Sequence, residues 1–365
     1  MADNSVIGQR VPRSVLLRAL EHKRLAHAYL FHGPDGVGKE AMALYLAQSI
    51  VCDQSEEGAC GTCSHCKKVA SLQHVDLTYV FPAPASMKPE DEQEILESIV
   101  NDPYYRHRPW ANPSISIERI RQIRQTSALT SYEGRGKVFI IVEAEAMTQE
   151  AANALLKILE EPPPETTIIL TSARPTLLLP TITSRAQMIR FEPLHNEEIE
   201  RALIERKQIS EEKARLISRV ANGSYRMALD WLEEDLDVRR DTVLEILRTV
   251  IKNDYEQIEL VEELTTKQDK KIIKEHLKLM LLWFRDVHLL QHCDDTKYLE
   301  TQLTNYDRLD VLQNFLEAFE SIDFGEVVGE LEQAIIRVNK NIQTNLVLTV
   351  LFQRIRSALR RKVNG

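Results

Sequence analysis

The sequence predicts a doubly wound α/β domain followed by two all-helical regions, and three observations carry that expectation. Five short apolar runs rich in β-branched and aromatic residues fall within the first 191 residues, with helical patterns between them. The first run leads directly into a glycine-rich loop and then a helix, the order that a phosphate-binding turn requires. After FEPL (191–194) strand signals stop, and amphipathic helical patterns continue to residue 365.

In chain order the predicted strands are HAYLF (27–31), DLTYVF (76–81), KVFIIV (137–142), TTIIL (166–170) and QMIRF (187–191). Most are apolar on both faces, as strands of a parallel sheet covered by helices must be. Between residues 82 and 113 the pattern breaks into PAPASMKPEDEQ and NDPYYRHRPWANP. This stretch reads as a surface insertion with one short helix, EILESIV. Residues 196 to about 234 read as a small three-helix unit. Longer helical segments follow, among them 270–290 and 330–361. The expected domains are therefore 1–194, 195–234 and 235–365, since 365 residues exceed one ordinary core.

Hydrophobic content of 43% with 28% charged residues is that of a soluble globular protein. The apolar run LMLLWF (279–284) is far too short to span a bilayer, so no membrane partner is expected. MADNSVIGQR at the start has no apolar signal core, and cytoplasmic residence is the expectation. A net charge of −9 argues against a surface coated in nucleic acid, although a local basic patch is compatible with it. Arg119, Arg121 and Arg124 read as a solvated helix face rather than a DNA contact, and the basic tail RIRSALRRK reads as solubilising or a subunit contact.

The stretch FHGPDGVGKEAM (31–42) nearly completes the pattern G-x-x-x-x-G-K-[ST] through Gly33, Gly38 and Lys39. Gly36 adds a further flexible position. Glycines let successive N–H groups turn toward an anion at the start of a helix, and the lysine adds positive charge near the β and γ phosphates. The last position holds Glu40, whose carboxylate cannot bind magnesium as a hydroxyl does and repels phosphate. ATP or ADP fits the loop, but the usual Mg2+ ligation does not. The strand KVFIIV runs into Glu143, Ala144 and Glu145. With Glu143 at the metal-binding acid's position, Ala144 stands where a water-activating carboxylate is needed, and a methyl group cannot deprotonate water. Glu145 is a displaced substitute.

Four of the five cysteines, Cys52, Cys60, Cys63 and Cys66, crowd into C-x7-C-x2-C-x2-C, while Cys293 stands alone. Such spacing lets four thiolates close a tetrahedral shell, so a structural Zn2+ is expected. Gly58 and Gly61 supply the turns, and His65 is a spare ligand. An iron–sulfur cluster takes the same ligands, yet nothing else in the chain suggests redox work.

Taken together, AHAYLFHGPDGVGK, the inserted cysteine module, NALLKILEEPPPET (153–166), TITSRAQMIRF (181–191) and GSYRMALD (223–230) resemble the bacterial DNA polymerase III clamp-loader subunits of the AAA+ family. NKNIQTNLVLTVLFQRI resembles the end of that family's helical collar. The resemblance covers nearly the whole chain apart from 82–113. It implies a P-loop AAA+ domain with an inserted zinc module at about 52–66, a helical lid and an all-α collar. Within the family, gamma/tau subunits are motor ATPases, and delta-prime subunits commonly have degraded nucleotide motifs. Glu40 and Ala144 bring this chain closer to the delta-prime class, as does its length, while the intact Gly33, Gly36, Gly38 and Lys39 keep nucleotide binding in view.

The resemblance also implies roles for single residues. Ser184-Arg185-Ala186 matches the SRC motif, whose arginine reaches a neighbouring subunit's ATP site, although the third residue here is Ala186. Arg226 matches the sensor-2 arginine, and Thr171 or Ser172 lies at the sensor-1 position or simply caps a strand end. The implied work is that of a largely non-hydrolysing stator that helps load the sliding clamp onto primer–template DNA beside gamma/tau and delta partners. A motor subunit and a zinc-dependent nucleic-acid-binding module are the two alternatives.

Overall fold

The computed structural model describes residues 6–360 apart from 55–57, 85, 105–109, 111–112, 128–130, 134, 234, 320–321 and 341. All five expected strands form. In chain order come α1 (Arg10–Glu21), β1 (Ala28–His32), α2 (Lys39–Val51), α3 (Ser64–Ala70), β2 (Leu77–Val80) and α4 (Pro89–Asn101). Next are α5 (Ile117–Ser127), β3 (Lys137–Ile141), α6 (Gln149–Glu160), β4 (Thr166–Ser172), α7 (Pro180–Thr183) and β5 (Gln187–Arg190). The strands make one parallel sheet in the order β2-β3-β4-β1-β5. Because β4 separates β1 from β3, its C-terminal end stands between the glycine-rich loop after β1 and the acidic turn after β3.

The double-sided apolar character of β1, β3 and β4 is explained by burial on both faces, whereas the edge strand β5 buries only Ile189 and β2 is half-buried. Leu30, Phe139, Ile141, Ile168 and Leu170 pack with Ile120 and Ile123 of α5 and Leu155 and Ile158 of α6. Each such fully buried side chain stabilises the fold by about 1.5–3 kcal/mol. α6 begins where Thr148 accepts a bond from the Ala151 N–H, and it stops before the run Pro162–Pro164, whose rings disfavour helical backbone.

The insertion differs from its expected form. Its helix is α4, thirteen residues rather than the seven of EILESIV, because Pro89 opens it and Glu90, Asp91 and Glu92 occupy its first turn. A proline at the first position and acids beside the positive helix end both favour starting there. The base of the insertion is pinched by an antiparallel bridge between Ala83 and Ser114. Residues 105–109 and 111–112 of the expected insertion lie outside the described residues.

The three-helix pattern after residue 195 is α8 (Asn196–Lys207), α9 (Glu211–Val220) and α10 (Tyr225–Glu233). The chain divides into two compact units, one running through Asp230 and the other from Trp231 onward. α8 and α9 thus belong with the sheet in the first unit. The second unit is all helical: α11 (Leu236–Ile251), α12 (Asp254–Lys267), α13 (Lys270–His292), α14 (Thr296–Gln302), α15 (Leu309–Ala318), α16 (Phe324–Asn339) and α17 (Thr344–Arg360). Its core gathers the rings of Phe284, Phe315 and Phe324. Buried Arg240 reaches Asp307 with two bonds of 2.7 and 2.9 Å, while Asp286 accepts the N–H groups of Thr304 and Asn305. The long segment expected over 330–361 is two helices. An Ile342 N–H to Arg337 carbonyl bond closes the end of α16, in a stretch whose one apolar residue, Ile342, is exposed. No helix among the described residues is long and apolar enough to cross a membrane.

Candidate functional site

The glycine-rich loop lies at the carboxyl end of β1 and feeds α2, a helix buried almost all round. Gly38 caps α2 with φ near 101°, and a Cβ on Gly36 would stand 2.2 Å from Ser224 Oγ, so neither position accepts a side chain without rearrangement. The Tyr225 N–H donates to the Gly36 carbonyl at 3.0 Å. Lys39, only 1% exposed, donates through Nζ to the Gly33 carbonyl at 3.0 Å and also to that of Pro34.

Glu40 is likewise built in. It is 5% exposed, and its Oε1 accepts the Thr171 hydroxyl at 3.0 Å. The same Thr171 oxygen accepts the Glu143 N–H at 3.1 Å. Thr171 on β4 thereby joins the odd residue of the loop to the acidic turn after β3. A carboxylate in the first turn of α2 also meets the positive end of that helix, where a phosphate would otherwise gain its stabilisation. Glu143 adopts a left-handed backbone, Ala144 is buried, and Glu145 accepts the Ala173 N–H at 3.1 Å. Glu145 is thus tied to the end of β4.

Arg226, in the first turn of α10, pairs with Asp35 of the loop at 3.2 Å. Arg185 lies just beyond α7, its side chain 36% exposed, with Nη2 at 3.0 Å from Glu160 and Nη1 donating to the Thr181 carbonyl. That exposed ion pair is worth only about 0–1 kcal/mol, so the guanidinium can exchange Glu160 for another anion at little cost. Arg119 packs over the Phe81 ring and pairs with Glu92, whereas Arg121 and Arg124 are exposed.

The four cysteines converge. Cys52 ends α2, Cys63 caps α3, Cys66 lies within α3, and their sulfurs with that of Cys60 all lie within 4.8 Å of one another. Thiolates at about 2.3 Å from one ion stand about 3.8 Å apart in a tetrahedron, and Cys60 Sγ is 4.0 Å from Cys66 Sγ. Backbone N–H groups of Gln54 and Cys60 point at Cys52 Sγ, those of Thr62 and Cys63 at Cys60 Sγ, and that of Cys66 at Cys63 Sγ. The Thr62 hydroxyl and these N–H groups draw the Cys60 thiol down to about 5, while burial pushes those of Cys52 and Cys66 up. Four thiolates in one pocket repel each other, and a central cation removes that cost. The group fits a metal ion with no side left open.

His65 is not a fifth ligand. It turns toward His74, with 3.1 Å between Nδ1 and His74 Nε2, and toward Glu133. These three side chains could also encircle a cation. However, the Asp76 N–H donates to His74 Nδ1, so a neutral His74 carries its proton on Nε2 and presents no lone pair there. The trio is a polar cluster, its two rings hydrogen-bonded and Glu133 facing both, that ties α3 to the loop before β3. Asp76 anchors that loop by accepting the Tyr132 and Glu133 N–H groups and the Ser131 hydroxyl at 2.9–3.0 Å. Burial opposes its charge, but those donors more than offset this and hold the Asp76 carboxyl below its ordinary range. A depressed carboxyl contributes stability above its unfolded pKa and loses it as pH falls through the folded one. Asp76→Asn should therefore cost about 1–3 kcal/mol at neutral pH, and its thermal-unfolding difference from the parent should vanish in strong acid.

Two residues at the loop carried no signal in the sequence. Gln9 donates from Nε2 to the carbonyls of Val37 (3.1 Å) and Glu192 (2.7 Å), strapping the N-terminal segment across the loop. Tyr104, just past α4, lies against Gly38. Both contacts join residues far apart in the chain, and no local pattern announces them.

The family model described as DNA polymerase III, delta subunit, matches residues 8–195. A Bacillus subtilis protein, DNA polymerase III subunit delta', is 28% identical over 332 residues, spanning 90% of this chain and 91% of that protein. Subunit delta' of Pseudomonas aeruginosa is 37% identical over 161 residues, 44% of this chain and 41% of its own length. Subunit tau of Escherichia coli K12 is 29% identical over 279 residues, 73% of this chain but 39% of its own length. With the model covering 188 of 365 residues and the B. subtilis match running nearly end to end, the chain belongs to the DNA polymerase III delta' family, with gamma and tau subunits among its relatives.

Proposed function

We propose that the chain is a delta'-type stator of a DNA polymerase III clamp loader: it binds nucleotide weakly, hydrolyses it poorly, and lends Arg185 to a neighbouring ATPase subunit. The observation that carries this reading is the Glu40–Thr171–Glu143 chain of hydrogen bonds. It supports the view that a carboxylate has taken over the place where a hydroxyl would hold Mg2+, with Ala144 offering no base beside it. In this reading Gly33, Gly36, Gly38 and Lys39 still form an anion-binding turn, and Arg226 meets the nucleotide from the helical lid after exchanging Asp35. A Zn2+ ion held by Cys52, Cys60, Cys63 and Cys66 would neutralise the four thiolates and fix the α2–α3 corner, with no part in hydrolysis. The helices from residue 235 serve as a collar that holds gamma/tau and delta partners. The sliding clamp and primer–template DNA are then engaged through the assembled complex, in the cytoplasm.

The measurement is ATP turnover by the purified chain with and without Mg2+. Turnover at background is expected. Robust Mg2+-dependent hydrolysis by this chain alone would overturn the stator reading in favour of a gamma/tau-type motor, for which the intact Lys39 is the supporting observation.

A further inference from the structure

The insertion places one aromatic ring against the mouth of the nucleotide loop. Tyr104 is 3% exposed, and a Cβ on Gly38 would stand 2.6 Å from its hydroxyl oxygen. The ring therefore lies on the N-terminus of α2, the end from which a phosphate would approach. It is held there from three directions. The Ile7 N–H donates to the Tyr104 hydroxyl at 2.8 Å. The ring meets that of Tyr225 edge-on, 5.0 Å between centroids, and Tyr225 is the residue whose N–H bonds the Gly36 carbonyl. The Arg206 guanidinium on α8 covers both rings, at 5.9 Å from Tyr104 and 5.7 Å from Tyr225. Asp102 fixes the approach by accepting the Tyr104 N–H at 3.0 Å and pairing with Lys207 of α8 at 3.1 Å.

We propose that Tyr104 is a built-in plug of this loop, so that nucleotide binds only when the ring withdraws from Gly38. The inference rests on the loop's being a nucleotide site, as proposed above. The ring takes the volume beside the Gly38 turn, and its contacts with the N-terminal segment, α8 and α10 join the parts of the first unit that would have to part to admit a ligand. A site open only a fraction of the time binds with an apparent dissociation constant raised by the inverse of that fraction. Removing the plug removes that factor.

The test is calorimetric titration of the full chain with ADP and with ATP. The parent is compared with Tyr104→Ala, Tyr104→Phe and the double variant Tyr104→Ala, Lys39→Ala. Tyr104→Ala should bind at least about tenfold more tightly than the parent. Tyr104→Phe, which keeps the ring but loses the bond from Ile7, should show a smaller gain, and Lys39→Ala should abolish the gain. Unchanged or weaker binding by a Tyr104→Ala chain that unfolds as cooperatively as the parent would overturn the plug, as would a gain that survives Lys39→Ala. Should the alanine variant fold poorly, unchanged affinity in Tyr104→Phe overturns it equally. The two readings fail separately. A Tyr104→Ala chain that binds tightly and also hydrolyses ATP supports the plug and contradicts the stator, whereas tight binding without turnover supports both.

Discussion

Stripping the metal from the purified protein with a strong chelator should release about one zinc ion per chain and melt the α2–α3 corner. Structural zinc sites in zinc-finger peptides contribute apparent binding free energies of about 10–16 kcal/mol at neutral pH, comparable to the total stability of about 5–15 kcal/mol of a typical domain. The geometry says where that loss would fall. Cys52 closes α2, and Cys63 and Cys66 shape the short helix α3, which has little means of standing alone. Without a cation, the buried Cys52 and Cys66 would hold their protons and the Cys60 thiolate would stand without its counter-ion. Cys66→Ser should reproduce the effect genetically, with zinc absent by elemental analysis and the thermal transition shifted well down or lost. Stoichiometric zinc in that variant, or an unchanged transition after chelation, would remove the metal from the account. The His65–His74–Glu133 cluster predicts the limit of the damage. It holds α3 to the loop before β3 by side-chain contacts that need no metal, so chelation should leave that contact in place below the lowered transition.

The second large effect concerns an activity that this chain is expected to support without performing. In a complex reconstituted with gamma/tau and delta subunits, Arg185→Ala should leave assembly and folding intact while depressing ATP turnover at the adjoining site. An arginine donated in trans to a transferring phosphoryl group is worth about 10^3–10^5 in rate at the site it completes. The measured loss in total turnover is capped by the share of that one site. Arg185→Lys should rescue poorly, because an ammonium cannot reproduce the planar two-pronged contact of a guanidinium. The surroundings of Arg185 agree with such a role. It sits at the surface beyond the short α7, held by an exposed glutamate and one carbonyl.

Local patterns made most of the architecture legible. The central strands β1, β3 and β4 announced themselves by short apolar runs, because a strand covered on both faces has little freedom in composition. The cysteine group was equally legible, since ligand spacing is a covalent property of the chain. α4 was harder. Its first turn, Pro89 to Glu92, looks like a loop to any count of apolar residues and is explained only by end effects. The break between α16 and α17 was hidden because apolar residues continue in register on both sides of it. At the candidate site the sequence supplied the roster but not the wiring. Glu40, Ala144 and Thr171 were each noticed, yet the bond from Thr171 to Glu40 depends on β4 lying between β1 and β3. Tyr104 could not be found at all, since its place against Gly38 is set by tertiary packing of an insertion outside the family's motifs.

On the proposed reading this chain contributes an arginine to hydrolysis rather than performing it. One paired measurement addresses it most directly: steady-state ATP turnover of the reconstituted complex carrying either Lys39→Ala or Arg185→Ala in this subunit alone. Lys39→Ala should leave turnover close to that of the parent complex, and Arg185→Ala should lower it sharply. A large loss with Lys39→Ala and none with Arg185→Ala would mean that the chain burns its own nucleotide, and would contradict the account.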